Sequence, residues 1–322
     1  QASALLSRMP LLGCWPGWGS SKMPDGQTNC GVVSVLGAPN AGKSTLVNRL
    51  VGAKVSIVSP KVQTTRIRVR GVALRENTQI VYVDTPGIFV PKRRLDRAMV
   101  DAAWSGASDA DAVILLVDAK RGVDPDTRRI AEGLKERGGP VTLVINKVDT
   151  VRREVLLALA DELNGLVDFD RTFMISALNG SGVIDLEEEL ASRMPVGPWL
   201  FPEDEISDLP QRLLAAELTR EKAYLYLHQE LPYALAVGTE SWEDFENGSV
   251  RIEQAITVAR ESHKGIVVGK GGQMIRRIRS EAQEELAELL GREVHLFVRV
   301  KVREKWAEDP GHFREWGLRF DA

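Results

Sequence analysis

Gly37-Ala38-Pro39-Asn40-Ala41-Gly42-Lys43-Ser44 has the spacing G-x-x-x-x-G-K-[ST], between an apolar run, VVSVL, and a helical pattern, STLVNRLV. An anion cradle needs that context. Glycines let backbone N–H groups close around phosphate oxygens, Lys43 neutralises charge between the outer two phosphates, and Ser44 offers its hydroxyl to magnesium. Thr45 completes this set of candidate nucleotide contacts. Alone, the pattern serves an ATPase equally well.

Three further motifs narrow the chemistry. Asp84-Thr85-Pro86-Gly87 follows the run QIVYV, which puts a carboxylate at a strand end facing magnesium and lets the Gly87 N–H meet a third phosphate. Taken alone, the segment reads as a plain Pro-Gly turn. Asn146-Lys147-Val148-Asp149 ends the run VTLVI. The Asp149 carboxylate can accept from guanine N1–H and its exocyclic amine together, and adenine offers neither donor there, so the site selects GTP over ATP. Ser176-Ala177, ending TFMIS, adds a backbone N–H for the guanine carbonyl. Gln63-Thr64-Thr65-Arg66 is a polar stretch suited to a switch whose threonine, Thr65 in preference to Thr64, joins Ser44 and Asp84 on magnesium when the third phosphate is present. A solvated loop is the competing reading.

Many GTP hydrolases place a glutamine directly after the glycine of D-x-x-G to orient the attacking water, and here that position is Ile88. An apolar side chain cannot do this, so slow basal turnover is expected. Asn40 offers an oxygen for a monovalent cation such as K+ beside the phosphates, or it merely caps the loop. The expected catalytic set is Lys43, Thr65, Gly87 and Asn40.

Far along the chain, Gly269-Lys270-Gly271-Gly272 forms G-x-x-G and opens a helical stretch, QMIRRIRSEAQEELAELL. Such a loop lets a nucleic-acid backbone approach closely. Arg260, Lys264, Lys270, Arg276, Arg277 and Arg279 surround it with Glu261 as the one acid, which reads as a local basic stripe for phosphate contact. A solvated helix face is the bland alternative.

These motifs need scaffolds. From Gly31 to about Met194, short Val/Ile/Leu runs alternate with helical patterns, the signature of a mostly parallel α/β sheet covered on both faces, with its ligand at the carboxyl ends of the strands. Residues 196–210, rich in proline and acids, read as a linker. The remainder, 211–322, reads as a smaller α+β domain: a helix, two strands, the glycine-rich turn, a long helix and a last strand, VHLFVRVKV. The nucleotide domain is expected over 30–195, after an extension at 1–29 lying outside the fold. The first 22 residues lack acids and contain four serines; translated upstream sequence before Met23 is the preferred reading, an organelle-targeting peptide the alternative.

Bulk properties agree. The chain has 322 residues, 43% hydrophobic and 27% charged, with formal net charge -3. That suffices for two cores, and no apolar run reaches the roughly 20 residues of a bilayer-spanning helix. Two cysteines, Cys14 and Cys30, cannot make a disulfide framework or a four-ligand zinc site, which fits a reducing cytoplasm.

Together GAPNAGKSTLVN, QTTR, DTPG, NKVD, ISA, REK followed by ELPYALAV, and HKGIVVGKGG with VHLFVRVKV resemble the Era family of bacterial GTPases, in order, from Cys30 to about Phe320. The resemblance implies a Ras-like P-loop GTPase domain followed by a type II KH domain, GTP or GDP with Mg2+ as ligands, and RNA held by Lys264, Gly269, Lys270, Gly271, Gly272, Arg276 and Arg277. It further implies the 3′ end of 16S rRNA as target, a role in small ribosomal subunit assembly, a cytoplasmic monomer, and peripheral association with the inner membrane. Two other classes compete. A GTP-dependent RNA-modifying enzyme should carry a cysteine or metal-spaced cluster in its second half, where His228, His263, His295 and His312 stand without one. A protein-binding switch would hold no RNA.

Overall fold

The computed structural model describes residues 27–61, 63–228 and 231–322; the first 22 residues lie outside the described residues. The chain divides into two units. The first runs to Ser56 and adds Thr65–Asp208 and Trp316–Ala322; the second comprises Ile57–Thr64 and Leu209–Glu315.

In the first unit the apolar runs become β1 (Asn29–Leu36), β3 (Thr78–Asp84), β4 (Ala112–Asp118), β5 (Val141–Asn146) and β6 (Arg171–Met174), with β2 (Val69–Arg75) at the edge. The order is β2-β3-β1-β4-β5-β6. Strand β2 pairs antiparallel with β3; the other neighbours are parallel. Every residue of β5 is buried, as a strand covered on both faces requires. After β1 the chain crosses to β3 on one side and β4 on the other, so the end of β1 is the switch point where such sheets bind ligands. Helices α1 (Lys43–Val51), α2 (Arg94–Ser108), α3 (Pro125–Arg137), α4 (Arg153–Asn164) and α5 (Val183–Ser192) fill the connections. The start of α3 is fixed locally: Asp124 accepts the Thr127 N–H at 2.7 Å and Pro125 occupies the first turn.

The unit boundaries differ from the expected ones in three places. Thr28 Oγ1 donates to the Gly197 carbonyl at 2.8 Å and Asn29 opens β1, so the extension ends before residue 28. The proline-rich 196–210 stretch is no free tether within this unit: buried Gln79 accepts from the Leu200 and Phe201 N–H groups and donates to the Phe201 carbonyl, while Val72 N–H donates to Ile206. The final residues return to the first unit, where the Arg94 guanidinium lies 4.3 Å from the Phe320 ring centroid and Arg319 pairs with Asp101 at 3.5 Å.

The second unit contains α6 (Gln211–Tyr226), β7 (Leu235–Asp244), β8 (Val250–Val258), α7 (Glu261–Val268), α8 (Gln273–Leu290) and β9 (Val294–Val302). The sheet order is β7-β8-β9, β7 antiparallel and β9 parallel to β8. Parallel β8 and β9 require a crossover, which α7, the glycine turn and α8 supply. Ile57–Thr64 belongs here because Ile57 enters its core and Glu221 accepts the Val58 N–H at 2.7 Å. Buried Arg220 pairs with Glu217 and donates to the Thr64 carbonyl. Burial opposes the charge on Arg220, but Glu217 more than offsets that and holds the guanidinium above its ordinary pKa.

A candidate nucleotide site and a candidate RNA loop

The phosphate loop leaves β1 and enters α1 through Gly42, whose φ of 102° is left-handed and whose Cβ would collide with Asn146 Nδ2. Glycine is therefore required there twice over. The first turn of α1 carries no acid, so its N–H groups and positive dipole end face the loop unopposed. Lys43 Nζ donates to the Gly37 and Ala38 carbonyls at 3.0 Å each. Burial pulls its pKa down to about 8, against the upward pull of Asp84.

Ser44, Thr65 and Asp84 converge. Ser44 Oγ lies 2.7 Å from Asp84 Oδ2 and 2.8 Å from Thr65 Oγ1, which is 3.3 Å from the same carboxylate oxygen. Thr64 Oγ1 instead donates to the Lys61 carbonyl at 2.8 Å. Burial pushes the Asp84 carboxyl above its ordinary pKa, opposed by the Ser44 hydroxyl and by Lys43. Its Oδ1 is buried with no hydrogen-bond partner among the described residues. An all-oxygen donor set with an orphaned carboxylate oxygen fits a hard divalent cation such as Mg2+.

At the other end Asn146 joins two loops: its nitrogen donates to Ala41 and its oxygen accepts the Ala177 N–H, both at 2.9 Å. Lys147 has φ 63° and sends Nζ to the Asn40 carbonyl at 2.7 Å and to Asp118 Oδ2 at 2.6 Å. Asp149 is exposed, open to an incoming base. Ser176 is buried and its N–H donates to Ser181, so the loop is closed on itself. Sequence reasoning missed Arg49, on the last turn of α1, whose Nε donates to the Ala177 carbonyl at 3.2 Å. It also missed Asp118 and Arg121, the latter donating to Pro39 at 2.7 Å. No local pattern marks any of the three.

Two expected nucleotide contacts point elsewhere. Ile88 is wholly buried in the core between β-sheet and helices, and its N–H is taken by the Gly37 carbonyl at 3.2 Å. Thr85 is buried and donates to the Val35 carbonyl at 2.7 Å, tying two strands together. Both shape the loop without facing it: an apolar Ile side chain gains by burial, and a buried threonine hydroxyl must find an acceptor inside. Val148 packs against the same core, leaving its neighbours Lys147 and Asp149 as the polar members of that motif. Asn40 has φ 64°, a left-handed conformation that asparagine tolerates, so the loop-cap reading has a physical basis here.

In the second unit Gly269, Gly271 and Gly272 have φ of 71°, 58° and 75°, so the loop is built on left-handed turns that side chains oppose. Lys270 is exposed at its tip, and Arg276 Nη2 donates to the Gly271 carbonyl at 2.7 Å. The expected basic stripe is divided. Arg277 stacks 4.0 Å from the Tyr226 ring centroid and pairs with Glu281 at 3.2 Å, one turn along α8. Arg279 turns the other way, donating to Gln283 at 3.1 Å and Leu296 at 3.5 Å. Lys264 stands 3.9 Å from Glu261, a loose exposed pair that leaves it available.

Residues 32–147 match the family described as "50S ribosome-binding GTPase", and residues 230–307 match "KH domain". The chain is 61% identical to "GTPase Era" of Sinorhizobium medicae over 293 residues, 91% of this chain and 94% of that protein. "GTPase Era" of Rhizobium meliloti gives the same figures. Among solved structures, Era in complex with MgGDPNP and nucleotides 1506–1542 of 16S ribosomal RNA is similar with TM-score 0.86 and 40% identity, covering 90% of this chain and 99% of that one. An Aquifex aeolicus Era variant bound to GDP and AlF4− gives TM-score 0.85 and 39% identity at the same coverage.

Proposed function

This chain belongs to the GTPase Era family, a family of P-loop GTP hydrolases, and from that premise we propose that it couples GTP hydrolysis in the Gly37–Ser44 loop to binding of 16S rRNA near its 3′ end on the Gly269–Gly272 loop, acting in small ribosomal subunit assembly. The observation that carries the catalytic half is the convergence of Ser44, Thr65 and Asp84 with Asp84 Oδ1 unmatched.

In this reading the Gly37–Gly42 N–H groups and Lys43 hold the phosphates, and Ser44, Thr65 and Asp84 hold magnesium, which when bound neutralises charge on the outer phosphates. The Gly87 N–H meets the third phosphate. Asp149 accepts from guanine, and the Ala177 N–H would have to leave the Asn146 oxygen to meet the guanine carbonyl. With Ile88 buried, no side chain directly after Gly87 orients the attacking water. Turnover is accordingly slow, and a monovalent cation such as K+, held by the Asn40 side-chain oxygen, would supply positive charge beside the transferred phosphate.

The RNA half is supported by the exposed Lys270, the left-handed glycines and the 16S fragment bound by a similar Era. The description naming the 50S subunit covers only residues 32–147, so it does not choose the RNA. A cytoplasmic monomer with peripheral inner-membrane association completes the reading; no helix of the described residues is long and apolar enough to cross a membrane. The test is titration of a labelled oligonucleotide carrying the 16S 3′ sequence, and of its scrambled version, into protein loaded with GTP analogue or GDP. Preference for the 3′ sequence is expected. Equal affinity for both sequences overturns the RNA assignment, and absence of GTP turnover with magnesium overturns the catalytic one.

A further inference from the structure

Five consecutive carbonyls of the phosphate loop are each taken by a side-chain donor. Lys43 takes Gly37 and Ala38, Arg121 takes Pro39, Lys147 takes Asn40 and Asn146 takes Ala41, all between 2.7 and 3.0 Å. Three of these donors belong to nucleotide motifs. Arg121 belongs to none: it follows β4 in the turn Asp118-Ala119-Lys120-Arg121.

Its position gives that hydrogen bond a consequence. The Pro39–Asn40 peptide is trans, as are all those of the described residues, so drawing the Pro39 carbonyl toward Arg121 turns the Asn40 N–H to the opposite side of that peptide plane. Pro39 is also what Gly87 rests on: a Cβ on Gly87 would stand 2.9 Å from Pro39 Cα, Cγ and N. Arg121 thus backs Pro39, and Pro39 backs the glycine assigned to the third phosphate. The guanidinium is itself held. It pairs with Asp124, the cap of α3, and the Arg121 N–H donates to the Asp118 carbonyl at 3.0 Å, in the residue whose carboxylate holds Lys147. Its positive charge also reaches the site, opposing the charge on Lys43.

We infer that Arg121 is a positioning residue for the third phosphate of GTP, fixing the Pro39–Asn40 peptide and the seat of Gly87. The inference rests on the assignment of Gly37–Ser44 as the phosphate loop and adds a residue outside the motifs to it. One charged donor on one carbonyl, at a side chain 40% exposed, sets the scale: Arg121→Ala should lose about tenfold in affinity for a non-hydrolysable GTP analogue and in kcat/KM. GDP, which has no third phosphate for Gly87 to meet, should lose less. Arg121→Lys keeps a cation that reaches a single carbonyl and should recover most of the loss, with melting temperature unchanged in both.

An Ala variant that behaves as wild type overturns the inference. So does a fall in kcat with both nucleotide affinities intact, which makes Arg121 a direct participant at the reacting phosphate. Equal loss for GTP and GDP without recovery by lysine reduces it to a structural residue and overturns it too. Lys43→Ala serves as the control for the underlying assignment: if that variant keeps GTP affinity, the phosphate-loop reading fails, whatever Arg121 does.

Discussion

The side-chain nitrogen of Asn146 donates to the Ala41 carbonyl at 2.9 Å, so the end of β5 and the phosphate loop form one hydrogen-bonded piece. Because the Asn146 oxygen also accepts the Ala177 N–H, a single buried amide aligns the parts assigned to phosphate and base. Asn146→Ala strands a buried acceptor and a buried donor at about 1–3 kcal/mol each. GTP and GDP affinity should fall together by about a hundredfold or more. Nucleotide titration checks this; loss confined to GTP would show that the amide acts on the third phosphate instead.

Lys43 makes nucleotide binding pH-dependent. In the free site its pKa is about 8, lowered chiefly by burial. Phosphate beside the ammonium favours the charged form, so binding draws in a proton as pH approaches and passes that value, and affinity weakens as pH rises through it. At pH 8 about half a proton should enter per nucleotide. Calorimetry of GDP binding in two buffers of different ionisation heat measures the uptake. Lys43→Arg, which stays charged, should abolish it; zero uptake by the wild-type protein at pH 8 contradicts the assignment.

The parts of the site visible in the sequence are those whose chemistry lies in a short run of residue types: the Gly37–Ser44 loop at a strand end, Asp84 after a buried strand, the Asn146–Asp149 turn. The missed parts act across long separations. Arg121 meets Pro39 at a distance of 82 residues in the chain, and nothing in the run Asp118–Arg121 marks it. The polar stretch read as a switch begins at Gln63-Thr64, inside Ile57–Thr64, whose place is decided by Ile57 and by Glu221 and Arg220 far downstream. Trp316 and Phe320 could have flagged a returning tail, since aromatic residues near a terminus seek burial. The division of the basic stripe was legible: Glu281 follows Arg277 by four residues, the spacing at which opposite charges meet on a helix.

Asn40 separates two readings of one residue. Its φ of 64° explains asparagine as a turn residue, whereas a cation ligand needs its side-chain oxygen. Asn40→Gly keeps the left-handed backbone and removes that oxygen. Wild-type turnover should be faster in potassium than in sodium chloride at equal ionic strength, and the glycine variant should lose the difference while still binding GDP. A potassium advantage that survives in the variant assigns the ion to other ligands.

The Gly269–Gly272 loop tests whether RNA binding is separable from nucleotide chemistry. Gly271 has φ 58° with open space where a Cβ would go, so aspartate fits there by volume and costs only the left-handed strain, about 1–2 kcal/mol. Changing Lys270 and Gly271 both to Asp places two carboxylates, in exchange for one ammonium, where phosphates approach. RNA affinity should fall sharply, and the slope of log affinity against log salt should become shallower by about 0.7 for each phosphate of a single strand that is no longer neutralised. Lys270→Gln leaves the backbone untouched and isolates charge: its slope should become shallower by about 0.7, one phosphate, with a smaller fall in affinity. GTP affinity should be unchanged in both, because Lys43, Asp84 and Asp149 lie outside this unit. An unaltered salt slope in Lys270→Gln, with RNA still bound as tightly, means that phosphate is held elsewhere on the second unit. Parallel loss of GTP binding in the double variant means that the two loops are not the independent sites assigned to them.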